Sequence, residues 1–307
     1  MISLFPNIPR APKDAMFTPT IPGPDPHPRT PKFKLPPLAC DAHTHIFGPG
    51  DKYPYAPDRS YTPPDAPFEL FQTLHRTLGI GRAVIVNASV HGTDNRVALD
   101  AVAVSGGRYR AVANIDGGIT ERALLDLHEG GFRGCRFNFV RHLGGVPDLG
   151  VFERITAMIA PLGWHVDLHF DAVDLPTYAE RLQKLPVPYT IDHIGRVRAA
   201  DGLEQAPFRT LIALMERDEK CWVKLSGFER ISADGPPFHD AVPFARKIAE
   251  TAPDRVLWGT DWPHPNVKIM PNDGDLVDLI PLFAPEPELQ EEILVSNPAR
   301  LFGFGET

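Results

Sequence analysis

A chain of 307 residues, 43% of them hydrophobic and 23% charged, can bury a sizeable core, which excludes wholesale disorder. Its net charge of −8 excludes the basic field that a nucleic-acid partner requires. No run approaches the roughly 18 consecutive apolar residues of a membrane span, and the start Met1-Ile2-Ser3-Leu4-Phe5-Pro6 lacks the basic residues and apolar stretch of a secretory signal, so a cytoplasmic protein without membrane partners is expected.

Eleven prolines fall within residues 1–37, a density that rules out regular helix or a central strand there. This segment reads as an extended arm, either lying over the rest of the chain or a neighbouring subunit, or loosely ordered; the oligomeric state stays open. From Leu38 onward, short β-branched or apolar runs alternate with amphipathic stretches, the pattern of parallel strands joined by crossover helices. The predicted strands, in chain order, are residues 38–45, 82–88, 109–115, 134–139, 164–170, 188–193, 221–226 and 255–261. Between the third and fourth, Glu121–Glu129 reads as a helix with Leu124, Leu125 and His128 on one face and a stop at Gly130-Gly131. Between the fourth and fifth, Val151–Leu162 carries Phe152, Ile155, Ile159 and Leu162 at helical spacing. Residues 195–205 and 261–287, rich in Pro, Asn and Asp, read as loops over the mouth of the fold. Cys40, Cys135 and Cys221 lie in apolar strand-like runs without CxxC or zinc-finger spacing and read as packing residues. Eight strand–helix units over residues 38–307 fit a single closed (β/α)8 TIM barrel, an α/β fold, better than an open doubly wound sheet, and no GxGxxG follows the first strand.

In a parallel barrel, polar groups at the carboxyl ends of the strands converge on one mouth. The first strand ends in His43 and His45, the fifth carries His169, the sixth ends in Asp192-His193 and the eighth in Thr260-Asp261. Alternate residues of a strand face the same side, so His43 and His45 point inward together, a spacing that makes a two-toothed metal clamp. His169 adds a third imidazole, and Asp261 a further ligand or a base toward metal-bound water. The inert reading of HxH alone is a pair of strand-end histidines satisfied by backbone; the ordered recurrence of polar strand ends at one rim argues for an active site. Arg136, Arg196 and Arg230 follow strand ends, where a guanidinium matches an acid group by two parallel hydrogen bonds. Asn87, Ser89, His91 and Asn95 follow the second strand, where they can line the pocket. His165 lies toward the start of its strand and reads as a buried, hydrogen-bonded residue, and His264 as a stabiliser of a Pro-flanked turn; His27, His75, His128 and His239 have no supporting context.

The motif Asp41-Ala42-His43-Thr44-His45 and the closing Trp258-Gly259-Thr260-Asp261-Trp262-Pro263-His264-Pro265 resemble the amidohydrolase superfamily. Within it the chain is similar to the 2-pyrone-4,6-dicarboxylate lactonases and 4-sulfomuconolactone hydrolases. The likeness runs from about Pro36 to Phe304 and includes His91-Gly92-Thr93-Asp94-Asn95, Arg136-Phe137-Asn138-Phe139, Ile191-Asp192-His193-Ile194-Gly195-Arg196 and Asn297-Pro298-Ala299-Arg300-Leu301-Phe302. It implies a carboxylic ester hydrolase that opens a small anionic lactone from aromatic breakdown. It assigns catalysis to Asp261 and His193, metal ligation to His43, His45, His169 and Asp261, and substrate binding to Arg136, Arg196 and Arg230, with His91, Asn95, Arg141 and His142 beside them. Two departures shape this reading. The pyrone dicarboxylate lactonases work without a metal and have tyrosine where this chain has His169, and they have arginine at the position of His142, next to which Arg141 stands here. The histidine restores a full ligand set and favours a zinc-dependent lactonase of the sulfomuconolactone kind. Residues 136–139 hold no Lys or Glu in the place of the superfamily's bridging ligand, which implies one divalent ion. In the implied mechanism Asp261 takes a proton from metal-activated water and His193 polarises the lactone carbonyl. The alternatives are a metal-dependent decarboxylase or hydratase of the same superfamily, which share HxH and the late Asp, and a non-catalytic binding barrel.

Overall fold

Eight parallel strands form one sheet in chain order in the computed structural model, which describes residues 19–305. They are β1 (Cys40–Thr44), β2 (Arg82–Val86), β3 (Tyr109–Ala113), β4 (Phe132–Asn138), β5 (His165–His169), β6 (Tyr189–Ile191), β7 (Cys221–Leu225) and β8 (Val256–Trp258). Each corresponds to one of the runs predicted from sequence. The seam between the last strand and the first is closed just beyond β8, where the Asp261 N–H donates to the His43 carbonyl at 2.8 Å and the His45 N–H to the Trp262 carbonyl at 2.7 Å. The result is a nearly closed (β/α)8 barrel.

The crossover helices are α1 (Phe68–Leu78), α2 (Arg96–Ala103), α3 (Glu121–Glu129), α4 (Leu149–Ile159), α5 (Leu175–Gln183), α6 (Ala206–Arg217), the short α7 (Phe228–Ile231) and α8 (Val242–Thr251). Their buried faces follow helical spacing, as with Phe71, Leu74, His75 and Leu78 of α1. In α3 the face differs from the expected one. Leu124 is buried and Leu127 packs on the core, whereas Leu125 is 42% exposed, so the apolar face runs through residues three apart. The span 261–287, expected as loop, holds two short helices, α9 (Asp273–Asp278) and α10 (Ile280–Phe283). The first is started by the Asn272 side chain, which accepts the Gly274 N–H. Residues 1–18 of the expected arm lie outside the described residues. The part from residue 19 to 37 has neither helix nor strand and is tied down on α9: the Arg29 guanidinium bonds Asp275 and Asp278, and Asp278 accepts the N–H groups of Lys32 and Phe33 at 2.7 and 2.8 Å. Among the described residues no helix is long and apolar enough to cross a membrane.

Apolar side chains on the outer strand faces, such as Ile85, Leu168, Ile191 and Val223, pack with the helices in one large core. A second cluster fills the barrel at the amino ends of the strands, where Cys40, Ala42, Val84, Val86, Val112, Trp222 and Leu257 meet Phe302 and Phe304 from the C-terminal segment. All three cysteines are buried and unbridged. The two faces of β1 are exchanged by a bulge, because Asp41 pairs with Ala83 and Thr44 with Ile85, three steps against two. Cys40 and Ala42 pack inside the barrel before the irregularity, and His43 and His45 turn inward after it. Strict alternation would have put Asp41 beside His43. Instead Asp41 clasps the seam: it accepts the Thr260 N–H at 3.0 Å and the Thr260 hydroxyl at 2.6 Å, and faces His75 Nε2 of α1 at 3.3 Å.

The seam tolerates no side chain at Gly259, where a Cβ would stand 2.6 Å from His43 N and 2.9 Å from His43 Cβ. Gly259→Ala should therefore push β8 from β1 and lower stability by about 1–3 kcal/mol, read as a lower urea midpoint; an unchanged midpoint would show that the strands part without cost.

Candidate active site

Three imidazoles converge on one oxygen. Nε2 of His43, His45 and His193 lies 3.7, 3.3 and 4.0 Å from Asp261 Oδ1. The other nitrogen of each ring is engaged behind the site. His45 Nδ1 meets the Val86 carbonyl at 2.7 Å, His193 Nδ1 the Ser226 hydroxyl at 2.9 Å, and His43 Nδ1 stands 3.4 Å from Asp192 Oδ1 and 3.2 Å from Lys224 Nζ. His169, whose ring centroid is 5.2 Å from that of His193, places Nδ1 at 3.2 Å from Asn138 Oδ1. An Nδ1–H donated to such an acceptor leaves the Nε2 lone pair for the cavity, the tautomer a metal ligand needs.

The charges agree with this arrangement. Burial pushes His45 down against the opposing pull of Asp261, and pushes His193 well down against the same carboxylate. Burial, then the Arg136 guanidinium, holds His169 well below the ordinary range. Burial resists the ionisation of Asp261, but Arg230 and the histidines outweigh it and keep the carboxyl well below its usual range. Neutral His45, His169 and His193 thus face a carboxylate at neutral pH, the protonation states in which metals bind. Arg230 donates to Asp261 Oδ2 through Nε at 2.8 Å and Nη2 at 2.6 Å, which leaves Oδ1 to the histidines. His43 Nε2 and Asp261 Oδ1 are buried without a hydrogen-bond partner, and with His45 they form a group whose ligand atoms lie within 4.8 Å of one another. A divalent cation satisfies such a set, so the residues present fit a metal ion. His169 lies outside that tight group, with Nε2 3.5 Å from Arg196 Nη1.

Both loops that carry these groups use left-handed backbone. His193, Ile194, Gly195 and Arg196 run at φ of 55°, 54°, 64° and 52°, and Asp261, His264 and Asn266 sit at 65°, 58° and 59°. Non-glycine residues hold such angles only where surrounding contacts over-determine them.

Arg136, Arg230, His45, His169, His193 and Asp261 line one cavity of about 30 Å³, with Tyr61 and Ser89 also on its wall. Arg230 and Arg196 also line a larger cavity of about 920 Å³, whose walls include Arg141 and Lys268. Three of the expected arginines are braced: Arg136 Nη2 by Asp192 at 3.1 Å, Arg196 Nε by Asp171 at 2.7 Å, and Arg230 by Asp261. Two expected pocket residues stand elsewhere. His91 is buried under a loop between the Pro54 carbonyl at 3.4 Å and the Gly48 N–H at 3.5 Å, with Tyr55 against its ring. Asn95 exchanges hydrogen bonds with the backbone of Asn114 at 2.9 and 3.0 Å and lines a separate cavity. The side chain of His142 lies outside the described residues. His165 is buried between the Arg133 carbonyl and Asp167, both at 2.9 Å. His264 bonds Asp273 of α9 at 3.0 Å and so ties its turn to that helix. Sequence reasoning passed over Lys224, Tyr61, Ser226, Asn138 and Asp167. Only Lys224 carried a signal, a lysine inside the apolar run Cys221-Trp222-Val223-Lys224-Leu225.

Known proteins resemble this chain over most of its length. The family model described as "Amidohydrolase" matches residues 40–304. A 2-pyrone-4,6-dicarboxylate hydrolase of Comamonas testosteroni is 46% identical, over 90% of this chain and 93% of its own length. A 4-sulfomuconolactone hydrolase of Hydrogenophaga intermedia is 47% identical, over 92% and 94%. A solved structure from Agrobacterium tumefaciens superposes with a TM-score of 0.78 at 29% identity, covering 90% of this chain and 100% of that one.

Burial alone would lower the His264 ring, but the carboxylates of Asp273 and Glu229 push it up to about 10. A raised histidine stabilises the fold fully below its unfolded value of about 6.5, and that contribution is lost as pH climbs through the folded value. The denaturation midpoint should therefore fall between pH 7 and pH 10, and His264→Gln should flatten this part of the profile; equal slopes in the two proteins would refute the assignment.

Proposed function

The chain belongs to the amidohydrolase family, and we propose that it hydrolyses a small anionic lactone of the 4-sulfomuconolactone or 2-pyrone-4,6-dicarboxylate type with the help of one divalent ion, zinc by preference. The observation that carries this reading is the convergence of His43, His45 and His193 on Asp261 Oδ1, beside a cavity that His45, His193 and Asp261 line together with Arg136 and Arg230. The names of the two relatives near 46% and 47% identity supply the substrate class.

His43, His45 and Asp261 would hold the ion, with His169 as the further ligand across the same cavity. When bound, a divalent ion lowers the pKa of water and polarises a carbonyl. Asp261 Oδ1 accepts the proton of the attacking water, while the two bonds from Arg230 to Oδ2 stop the carboxylate from turning away. The Ser226 hydroxyl can donate to His193 Nδ1, which leaves Nε2–H to draw charge onto the lactone carbonyl oxygen. The acyl carbon gains hydroxyl, the ring C–O bond breaks, and the leaving oxygen recovers the proton held by Asp261. Arg136, Arg196 and, at the wider cavity, Arg141 hold the acid groups.

Protein purified without chelator should contain about one zinc or similar ion per chain and turn over 4-sulfomuconolactone, pyrone dicarboxylate or a simple muconolactone. Asp261→Asn should lower kcat by about 10²–10⁴-fold. Activity indifferent to prolonged chelation would remove the metal from the mechanism, and release of carbon dioxide without ring opening would make the enzyme a decarboxylase instead.

A further inference from the structure

Beneath the histidines lies a lysine that the reaction above does not use. Lys224 of β7 is fully buried, as are the two carboxylates it meets. Its Nζ donates to Asp167 Oδ2 and stands 3.4 Å from Asp192 Oδ1 and 3.2 Å from His43 Nδ1. Asp167 is held further by the Thr190 hydroxyl at 2.6 Å and His165 Nε2 at 2.9 Å, and Asp192 by Arg136 through its other oxygen at 3.1 Å. Taking an ammonium wholly out of water costs several kcal/mol unless carboxylates meet it. An apolar residue would fill the same space without that cost, so packing does not account for Lys224.

His43 Nδ1, Lys224 Nζ and Asp192 Oδ1 form a triangle with sides of 3.2, 3.4 and 3.4 Å. The ammonium only donates and the carboxylate only accepts. With Lys224 donating to both aspartates, Asp192 Oδ1 also accepts His43 Nδ1–H, and the lone pair of His43 faces the cavity at Nε2. With Lys224 donating to His43 Nδ1, the ring proton moves to Nε2 and a hydrogen stands where a ligand lone pair is needed. The outcome depends on where the Asp192 carboxylate is held, and Lys224 and Arg136 hold it from either side.

We propose that Lys224 is a positioning residue: by bridging Asp167 and Asp192 it keeps the Asp192 carboxylate under His43 and so sets the tautomer in which His43 Nε2 is a metal ligand. The proposal rests on the metal-ligand reading of His43, so the first readout is taken without metal. Imidazole nitrogen NMR of the metal-free protein should show His43 protonated on Nδ1. Lys224→Met alone strands two facing carboxylates, and the double variant Lys224→Met with Asp167→Asn removes one charge of each sign to keep the fold. In that variant, checked for folding by near-UV circular dichroism, His43 should lose its preference for Nδ1–H. Its zinc affinity, measured by competition with a chromophoric chelator, should fall about 10–100-fold, and Arg136, the other brace, should not compensate. A wild-type His43 protonated on Nε2, or a folded double variant with the wild-type tautomer and zinc affinity, overturns the proposal. A wild type that shows the Nδ1–H signal but binds no zinc defeats the metal reading of the site instead, and leaves the tautomer result to decide the role of Lys224.

Discussion

A carboxylate at the centre of a closed barrel has no water to turn to, and each one buried here has to be met by a donor that is itself buried. That constraint runs as a column from floor to mouth. His165 and Thr190 meet Asp167, Lys224 joins Asp167 to Asp192, and Arg136 and His43 close over Asp192. Above them Arg230 meets Asp261, and at its flank His264 meets Asp273. In such a chain the loss of one partner strands the next, which is why breaking a buried pair costs more than the pair contributes. The histidines of the site inherit their aim from this column as much as from the strands that carry them.

The arginines show how a braced group keeps donors free. Arg136, Arg196 and Arg230 each face an aspartate, which occupies part of each guanidinium. A guanidinium has five donors, and one carboxylate takes at most two of them. The brace fixes the plane of the group and leaves another edge for an incoming acid. Arg230 differs from the other two, because both of its bonds to Asp261 fall on the carboxylate on which three histidines converge.

What was legible in the sequence follows from what is local. Strands announced themselves as β-branched runs between turns, and the polar strand ends, taken in order, fell on one rim. Features that depend on a partner far along the chain were not legible. The bulge in β1 exists only relative to β2, so nothing in Asp41-Ala42-His43 marks that the side chains of Asp41 and His43 leave the strand on different faces. The left-handed angles at His193 and Asp261 are imposed by neighbours and fall on residues that ordinarily avoid them. His91 and Asn95 follow a strand end as pocket residues do, but their side chains turn to loop backbone that no spacing rule anticipates. Residues 273–283 were hidden by Pro281 and their aspartates, although Asn272 is a good helix start.

The clasp between Asp41 and Thr260 joins residues 219 positions apart. During synthesis β1 and its pair of histidines are made early, while the carboxylate that completes their site arrives only after seven further strands. Until then the edge of β1 away from β2 is unpaired, open to any other strand, and the His43–His45 pair has no Asp261 to organise it. Closure of the ring is thus a late, long-range event of the kind that slows folding. The same step that removes the last exposed edge assembles the site, so a chain that has not finished its barrel has no functional centre to misuse.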